Sequence, residues 1–358
     1  MKNLLAFIFL VILVSFQPIK NERNEEFNYT NAGEFLIGQF SEKEIIFLGE
    51  VHRTKEQVLF VSNMIPLLQK NGINILFSEF ANFEDSGLID SLITSEVYDK
   101  NLALQIQHNN SWDWDYSEYV DLYYSAWKTN HSLKEGESHF RIIGLEKENY
   151  GIYSAEQVWA KIINDSAVKQ NKKALVYCGM HHAFTSYKQP YIVDGKLSGF
   201  VNNRVGNLIY QKYPDKTMTV ILHGPWPESG NIFRCDISPC EGKIDSLFLT
   251  LPNNKESIGF STENSVAGNF KSDDSFYSNG YPDFTLKNLC QGYIVIKPIC
   301  ELHPVTLIPD FINEGNIAKT REESGWNQLS IKDFNDSLKI WYQVDTRHFT
   351  EIKNKYCR

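Results

Sequence analysis

The sequence has no concentrated positive charge. Its 358 residues carry 35 Lys and Arg against 44 Asp and Glu, a formal net charge of −9. The longest basic run is Lys172-Lys173. Nucleic acid and anionic lipid are bound by clustered basic residues that neutralise phosphates, so neither partner is expected. A composition that is 42% hydrophobic and 13% aromatic is that of an ordinary globular protein.

Long apolar runs are also scarce, and only the run from Leu4 to Phe16, shortly after Lys2, stands out. It is too short for the ~20 residues that span a bilayer. A basic residue followed by such a run is typical of a signal peptide, although no small-x-small cleavage pattern precedes Gln17. We therefore expect a signal peptide in residues 1–22, with an uncleaved anchor or a buried segment as alternatives. The mature protein is expected to be exported, periplasmic or extracellular, with no stable transmembrane span.

Two motifs that would point to a mechanism are missing. Gly-x-Ser-x-Gly does not occur, so a covalent serine mechanism is not expected. C-x-x-C does not occur either, which argues against a cysteine zinc site. The six cysteines fit an exported chain with one or two disulfides.

The spacing of the cysteines favours one pairing. Cys235 and Cys240 enclose a short loop that closes easily, whereas a Cys290–Cys300 bridge needs a bend in the strand-like run between them. Cys178 stands at the end of an apolar run and is expected to remain a free thiol. The sequence therefore predicts a Cys235–Cys240 disulfide.

Short β-branched runs alternate with helix-length amphipathic stretches between Glu44 and His223. This alternation predicts an α/β fold with a mostly parallel sheet flanked by helices, because antiparallel neighbours do not need such long connections. The expected strands are Glu44–Leu48, Ile73–Ser78, Phe140–Leu145, Lys173–Cys178 and Thr217–Leu222. The expected helices are Thr54–Lys70, Tyr116–Lys128, Ser154–Asp165 and Ser198–Tyr213.

After Pro225 the pattern changes, with Gly, Ser, Asn and Pro dense up to Pro282. We expect a domain over residues 30–224 and a C-terminal mixed extension over residues 225–358, made of loops and short strands packed on the same domain. Its clearest elements are a strand at Gly292–Ile296 and a short helix at Ile331–Ile340.

Acidic residues and histidines follow every predicted strand. Ligands of an open parallel sheet bind beyond the carboxyl ends of its strands, so these side chains are candidates for one site. The main candidates are Glu50, His52, Glu79 and His182, and the secondary candidates are His181, Glu146 and His223. Structural roles are the alternatives: a helix cap for Glu50 or His52, an ion pair for Glu79, and solvent-facing charge for Glu146. In an extended backbone, His181 and His182 would not both face the site.

Four segments carry a family resemblance through their order and spacing. They are Ile46–His52, Leu76–Glu79, Ile143–Glu146 and Gly179–His182. Together they resemble the erythromycin esterase and ChaN-like superfamily, which is related to the Tiki and TraB proteins. The resemblance covers roughly Phe35 to His223. It implies one pocket lined by Glu50, His52, Glu79 and His182 with Gly179, and a helical insertion at Trp112–Trp127 that covers the strand ends.

The same residues allow three functions. A neutral histidine held by a carboxylate is a competent general base, which predicts an exported hydrolase of an ester, lactone or amide. The same two glutamates and two histidines suit a divalent metal, as in a Tiki- or TraB-type metal-dependent hydrolase. One residue separates Glu50 from His52, the spacing of the haem-binding ChaN branch rather than of the esterases. This spacing motivates the alternative of haem or iron uptake, with His52 or His182 as axial ligand, while the exported hydrolase is the leading hypothesis. The partner is accordingly a small-molecule substrate or haem.

Overall fold

A computed structural model of the chain describes residues 27–230, 232, 235–252 and 255–357. The predicted signal peptide lies outside the described residues. The strands are β1 (Thr30–Asn31), β2 (Ile45–Glu50), β3 (Ile75–Asn82), β4 (Arg141–Glu146), β5 (Ala174–Gly179), β6 (Gln189–Val193), β7 (Lys196–Val201), β8 (Thr217–Leu222), β9 (Trp226–Pro227), β10 (Cys235–Ile237), β11 (Ile258–Ser261) and β12 (Gly292–Val295).

The α-helices lie between these strands and at the carboxyl end of the chain. They are α1 (Ala32–Gln39), α2 (Lys55–Lys70), α3 (Ser86–Thr94), α4 (Lys100–Asn110), α5 (Ser117–His131), α6 (Ala155–Ser166), α7 (Val205–Lys212), α8 (Lys243–Thr250), α9 (Leu286–Leu289), α10 (Ile317–Ser324), α11 (Ile331–Asp345) and α12 (Arg347–Tyr356). None of the helices that the structure describes has both the length and the apolar character needed to cross a membrane.

The main sheet has eight strands in the order β1-β11-β12-β8-β2-β5-β3-β4. Neighbours from β12 to β4 are parallel, and the two pairs at the other edge, β1 with β11 and β11 with β12, are antiparallel. The predicted mostly parallel α/β fold is confirmed. Each of the five predicted strands is present, with its limits moved by a few residues.

The two faces of the sheet carry separate cores because successive strand residues point to opposite sides. On β2, Ile45 and Phe47 join one core, which includes Trp159 of α6. Ile46 and Leu48 of the same strand join the other core, together with α2 and α5. All four β2 residues are fully buried, as expected for a parallel strand covered on both faces.

One predicted helix is wrong over its first half. The stretch Ser198–Tyr213 was expected to be a helix, but Lys196–Val201 pairs with Gln189–Val193 in an antiparallel hairpin. Asp194 and Gly195 form its turn, both with positive φ, as a two-residue hairpin turn requires. The helix begins only at Val205.

Two strands of the C-terminal extension belong to the main sheet instead of lying over it. β12 pairs in parallel with β8, and β11 continues the sheet beyond β12. The helix expected at Ile331–Ile340 is present and longer, reaching Asp345. The sheet is therefore complete only with residues from after Pro225.

The predicted disulfide is wrong. Cys300 is bonded to Cys357, whereas Cys240 and Cys290 are free and buried, so neither Cys235–Cys240 nor Cys290–Cys300 forms. The bridge joins residues 57 positions apart, a contact that exists only because α12 folds back onto the segment around Cys300. Cys178 is a free, buried thiol, as expected.

Candidate active site

The adjacent strands β2, β5 and β3 bring three predicted site segments together. Glu50 and Gly179 end β2 and β5, Glu79 lies three residues before the end of β3, and the backbone N–H of Gly179 donates to Glu79 Oε2 at 2.6 Å. These residues lie beside a cavity of about 550 Å³ that is lined by Glu50, His52, His181 and His182, among others. Glu79 is not part of the lining, but it contacts both His52 and His182, so the main candidate residues lie together.

Glu50 holds His52 in a fixed orientation. Glu50 is buried, and its Oε1 accepts hydrogen bonds from His52 Nδ1 at 2.9 Å and from the Tyr119 hydroxyl at 2.6 Å. The Tyr177 hydroxyl donates to Oε2. A carboxylate oxygen accepts hydrogen bonds, so the contact with Glu50 places the proton of a neutral His52 on Nδ1. The Nε2 atom of His52 is then the free ring nitrogen.

A second carboxylate holds His182 in the same way. His182 Nδ1 lies 2.8 Å from Glu156 Oε1, and Arg204 Nη1 donates to the same oxygen at 3.1 Å. The backbone N–H of Val205 donates to the other oxygen, Oε2, at 2.6 Å. Burial opposes ionisation of Glu156, but its hydrogen bond to His182 and the charges of His182 and Arg204 lower its pKa. A neutral His182 therefore also carries its proton on Nδ1 and leaves Nε2 free.

The two free ring nitrogens meet at Glu79. Its Oε1 lies 3.9 Å from His52 Nε2 and 3.6 Å from His182 Nε2. The His52 ring also packs against the backbone of Gly179. A Cβ at position 179 would lie 2.5 Å from His52 Cε1, so the ring can lie this close only because residue 179 is glycine. The result is one carboxylate facing two carboxylate-held imidazoles.

These contacts change the basicity of both histidines. Removal from bulk water lowers the pKa of His52, but the Glu50 hydrogen bond and the charges of Glu79 and Glu50 outweigh it and raise the pKa above 6.5. For His182 burial likewise opposes protonation, and the Glu79 charge and the Glu156 hydrogen bond raise the pKa. The His52 side chain is 38% exposed and can meet a ligand.

His181, a secondary candidate, lines the cavity beside His182 because the backbone there is not extended. The backbone turns here, because the N–H of His182 bonds to the carbonyl of Gly179 and that of Ala183 to Met180. Both rings therefore face inward, and His181 Nε2 lies 2.9 Å from the Tyr277 hydroxyl. Burial, with the charge of Arg204, lowers the pKa of His181 to about 3, so this ring is neutral.

The other two secondary candidates lie outside the cavity lining. The Glu146 carboxylate accepts a hydrogen bond from the Tyr150 hydroxyl, and burial together with the charge of Glu79 raises its pKa. His223 is fully buried between the Tyr293 hydroxyl, 2.9 Å from Nδ1, and Asp245, 3.2 Å from Nε2. Its ring connects β8 to the C-terminal extension.

Several site residues were missed by sequence reasoning. Glu156 follows a helix N-cap serine and looks like an ordinary first-turn acid. Tyr119 lies in the predicted helix Tyr116–Lys128, and its ring is buried while its hydroxyl reaches Glu50. The end of α11 and the start of α12 also line the cavity, through Val344, Asp345, Arg347, His348 and Glu351. No local sequence pattern connects these helices to a site almost 300 residues earlier.

The site has the ligand types of a metal site but not the arrangement of one. Two imidazole nitrogens and a carboxylate are donors that suit Zn or Mn, and imidazoles backed by carboxylates are common in metal sites. In residues 27–230, 232, 235–252 and 255–357, however, no group of three or more His, Cys, Asp or Glu is placed to hold an ion. The mechanism is therefore derived for the protein's own residues.

The comparisons with known proteins reach only distant structures. No family model and no curated protein matches the sequence. A succinoglycan biosynthesis protein is 11% identical, with a TM-score of 0.48 over 74% of this chain and 89% of that protein. A Bacillus cereus protein is 8% identical, with a TM-score of 0.47 over 76% of this chain and 92% of its own.

ChaN of Campylobacter jejuni, solved with cofacially bound haem, is also similar. It is 14% identical, with a TM-score of 0.33 over 53% of this chain and 85% of ChaN. The relationship to ChaN and to the other two proteins is a distant one of fold.

Proposed function

We propose that the protein is a hydrolase that cleaves an ester, lactone or amide with water activated by histidine. The observation that carries this proposal is the pair of carboxylate-held imidazoles, His52 with Glu50 and His182 with Glu156, whose Nε2 atoms both face Glu79 in an open cavity. A histidine fixed through Nδ1 by a carboxylate is the arrangement used for general acid–base catalysis.

In the proposed reaction one imidazole is neutral and the other protonated. The positive charge of His182 lowers the pKa of His52, so the pair is favoured to share one proton, while Glu79 stabilises that proton on either ring. His52 Nε2 takes a proton from water as the oxygen adds to the substrate carbonyl carbon. His182 Nε2 gives its proton to the leaving oxygen or nitrogen as the C–O or C–N bond breaks. Proton exchange with solvent restores both rings.

Replacement of the proposed base tests this mechanism. His52→Ala is expected to lower turnover of a chromogenic ester by ~10² or more, the scale of a lost general base. His139→Ala, which removes an exposed histidine, is the matched control and should leave turnover unchanged. Circular dichroism checks that both variants are folded. Equal turnover of folded His52→Ala and the parent protein would remove His52 from the mechanism.

A metal-dependent hydrolase is the second candidate, because carboxylates behind ligand imidazoles orient them for a metal. His52, His182 and Glu79 would hold the ion, which would supply an activated water. Elemental analysis of protein purified without chelator separates the two: stoichiometric Zn, Mn or Fe supports the metal candidate, and metal-free, chelator-insensitive activity supports the first. The haem alternative remains a prediction, tested by a saturable Soret band on titration with haemin.

We also propose that the protein is exported. The apolar run from Leu4 to Phe16 supports this, and the Cys300–Cys357 disulfide supports an oxidising compartment. Mass spectrometry of the protein from the natural compartment is expected to show a mature amino terminus beyond Phe16. An intact Met1 would contradict cleavage.

A further inference from the structure

A second cavity of about 300 Å³ lies directly beside the catalytic cavity. Arg53, Val344 and Asp345 line both cavities, so these residues form the partition between them. Arg53 follows His52 in the chain, and neighbouring Cα atoms are about 3.8 Å apart. A ligand that fills the second cavity therefore reaches close to the proposed base.

The lining of this cavity is acidic and aromatic. It consists of Arg53, Asp113, Asp115, Tyr116, Leu338, Trp341, Val344 and Asp345. The guanidinium of Arg53 pairs with Asp345 at 3.2 Å, and its Nε donates to the Tyr116 hydroxyl at 2.8 Å. After this pairing the cavity retains two carboxylates, Asp113 and Asp115.

Asp115 is the unusual member of the lining. It is only 3% exposed, and no ion pair to its carboxylate occurs in the part of the chain that the structure describes. Its own backbone N–H donates a hydrogen bond to the carboxylate. Burial raises the pKa of Asp115 to about 7, and this hydrogen bond and the charge of Arg53 offset only part of that effect. A buried carboxylate at a cavity wall gains most from a cationic ligand.

The aromatic wall selects the kind of cation. Trp341 is partly buried beside the aliphatic side chains of Leu338 and Val344. The Arg53 guanidinium lies over the Tyr116 ring, 5.5 Å from its centroid, which leaves Trp341 as the aromatic wall for a ligand. Such a wall cannot replace the water shell of a small hydrated metal ion, but an aromatic face together with carboxylates binds alkylated ammonium groups. The volume lies at the lower end of ligand pockets, roughly 300–1,000 Å³.

We infer that this second cavity binds an organic ammonium group, with Asp115 and Asp113 as its charge partners and Trp341 as its aromatic wall. The assignment of this ammonium group to the substrate rests on the proposed hydrolase function. The binding of the group in the cavity is independent of that proposal. The substrate is then an ester, lactone or amide that carries an amine near the scissile carbonyl.

Two probes of the same shape test the inference. Choline has a charged nitrogen at the position where 3,3-dimethylbutan-1-ol has a neutral carbon. Each molecule carries nine equivalent methyl protons, which saturation-transfer NMR can observe. Choline is expected to bind the full-length protein at least about tenfold more tightly than the neutral alcohol, the scale of a desolvated cation–π contact with its charge partner. Equal affinity for the two probes would overturn the inference.

Matched variants locate the binding. Asp115→Asn and Trp341→Leu should each weaken choline binding about tenfold, whereas Asp336→Asn, an exposed acid on the same helix as Trp341, should not. If Asp115→Asn does not fold, Asp113→Asn replaces it. Choline affinity that both cavity variants leave unchanged contradicts the site. His52→Ala is expected to retain choline binding, because His52 does not line the second cavity. Choline binding therefore tests the ammonium site, and turnover tests the hydrolase proposal independently.

Discussion

His52 and His182 approach Glu79 from different elements, but the same interaction orients both rings, a hydrogen bond between Nδ1 and a carboxylate. His52 follows β2 and is held by the carboxylate at the end of that strand; His182 lies in the turn after β5 and is held by Glu156 of α6. In both cases the carboxylate accepts a hydrogen bond from Nδ1 and thereby orients Nε2 toward the cavity. Each ring therefore has a defined tautomer before any ligand binds.

The pH dependence of the reaction follows from the raised pKa values. A base must be neutral, and Glu50 and Glu79 raise the pKa of His52 above 6.5, so the rate is lost as the pH falls through that higher value. We expect the acid limb of the kcat/KM profile to have its midpoint above pH 6.5. Glu50→Gln removes a negative charge beside His52, which lowers its pKa and moves the limb to lower pH. A shift of the limb to higher pH in Glu50→Gln would show that the titrating group is not His52.

Gly179 sets the distance between the strand and the His52 ring. Gly179→Ala places a Cβ against His52 Cε1, so we expect the ring to shift and turnover to fall by roughly 10² as the geometry is lost. Overpacking should also cost about 1–3 kcal/mol in free energy of unfolding. Gly38→Ala is the control, because a Cβ at Gly38 meets nothing within 4 Å. Full activity in folded Gly179→Ala would contradict the close packing.

At the scale of elements, α11 and α12 form one wall of the larger cavity. The contacts that hold them include the Arg53–Asp345 ion pair, the hydrogen bond from the Tyr342 hydroxyl to the Val305 carbonyl at 2.9 Å, and the disulfide at Cys357. Helix α11 also packs on a buried apolar cluster, whereas beneath α12 Phe349 and Ile352 form only a small one with Ile299 and Leu302. The disulfide is therefore an important contact for the position of α12.

The disulfide is expected to contribute to stability through the unfolded chain. For a loop that spans 57 positions, chain entropy predicts a loss of about 4 kcal/mol when the bridge is removed. Cys357→Ser should lower the unfolding midpoint in urea, and a reductant should lower the midpoint of the parent protein but not of Cys357→Ser. Peptide mapping without reduction should recover Cys300 linked to Cys357; a Cys235–Cys240 peptide would contradict the structure.

At the scale of the whole molecule, the C-terminal extension completes the sheet and closes the site. β8 is buried along its whole length, with β2 on one side and β12 on the other. Removal of residues 225–358 would expose the β8 edge and the apolar faces under it, so we expect the remaining chain to lack cooperative unfolding in urea. A cooperative transition of the 30–224 fragment, followed by circular dichroism, would show instead that this part folds alone.

Local patterns were enough to predict the parallel sheet and the residues at its carboxyl ends. Strand runs such as Thr217–Leu222 are recognisable because burial on both faces leaves an unbroken apolar stretch. Glu50, Glu79 and His182 could be named together because parallel strands place their carboxyl ends at one edge. These conclusions need only the order of residues along the chain and the geometry of neighbouring strands.

Contacts between distant segments were decided by the tertiary structure alone. The partner of His182 is Glu156, and Cys300 pairs with Cys357; neither choice is marked by spacing, because any acid or cysteine brought near by packing would serve equally. The same holds for the helices that wall the cavity and for Asp115, whose burial results from segments far apart in sequence. The sequence by itself determined the sheet and the edge where the candidate site residues lie. Packing decided which side chains orient, cover and extend that site, since such contacts depend on three-dimensional proximity and leave no local pattern.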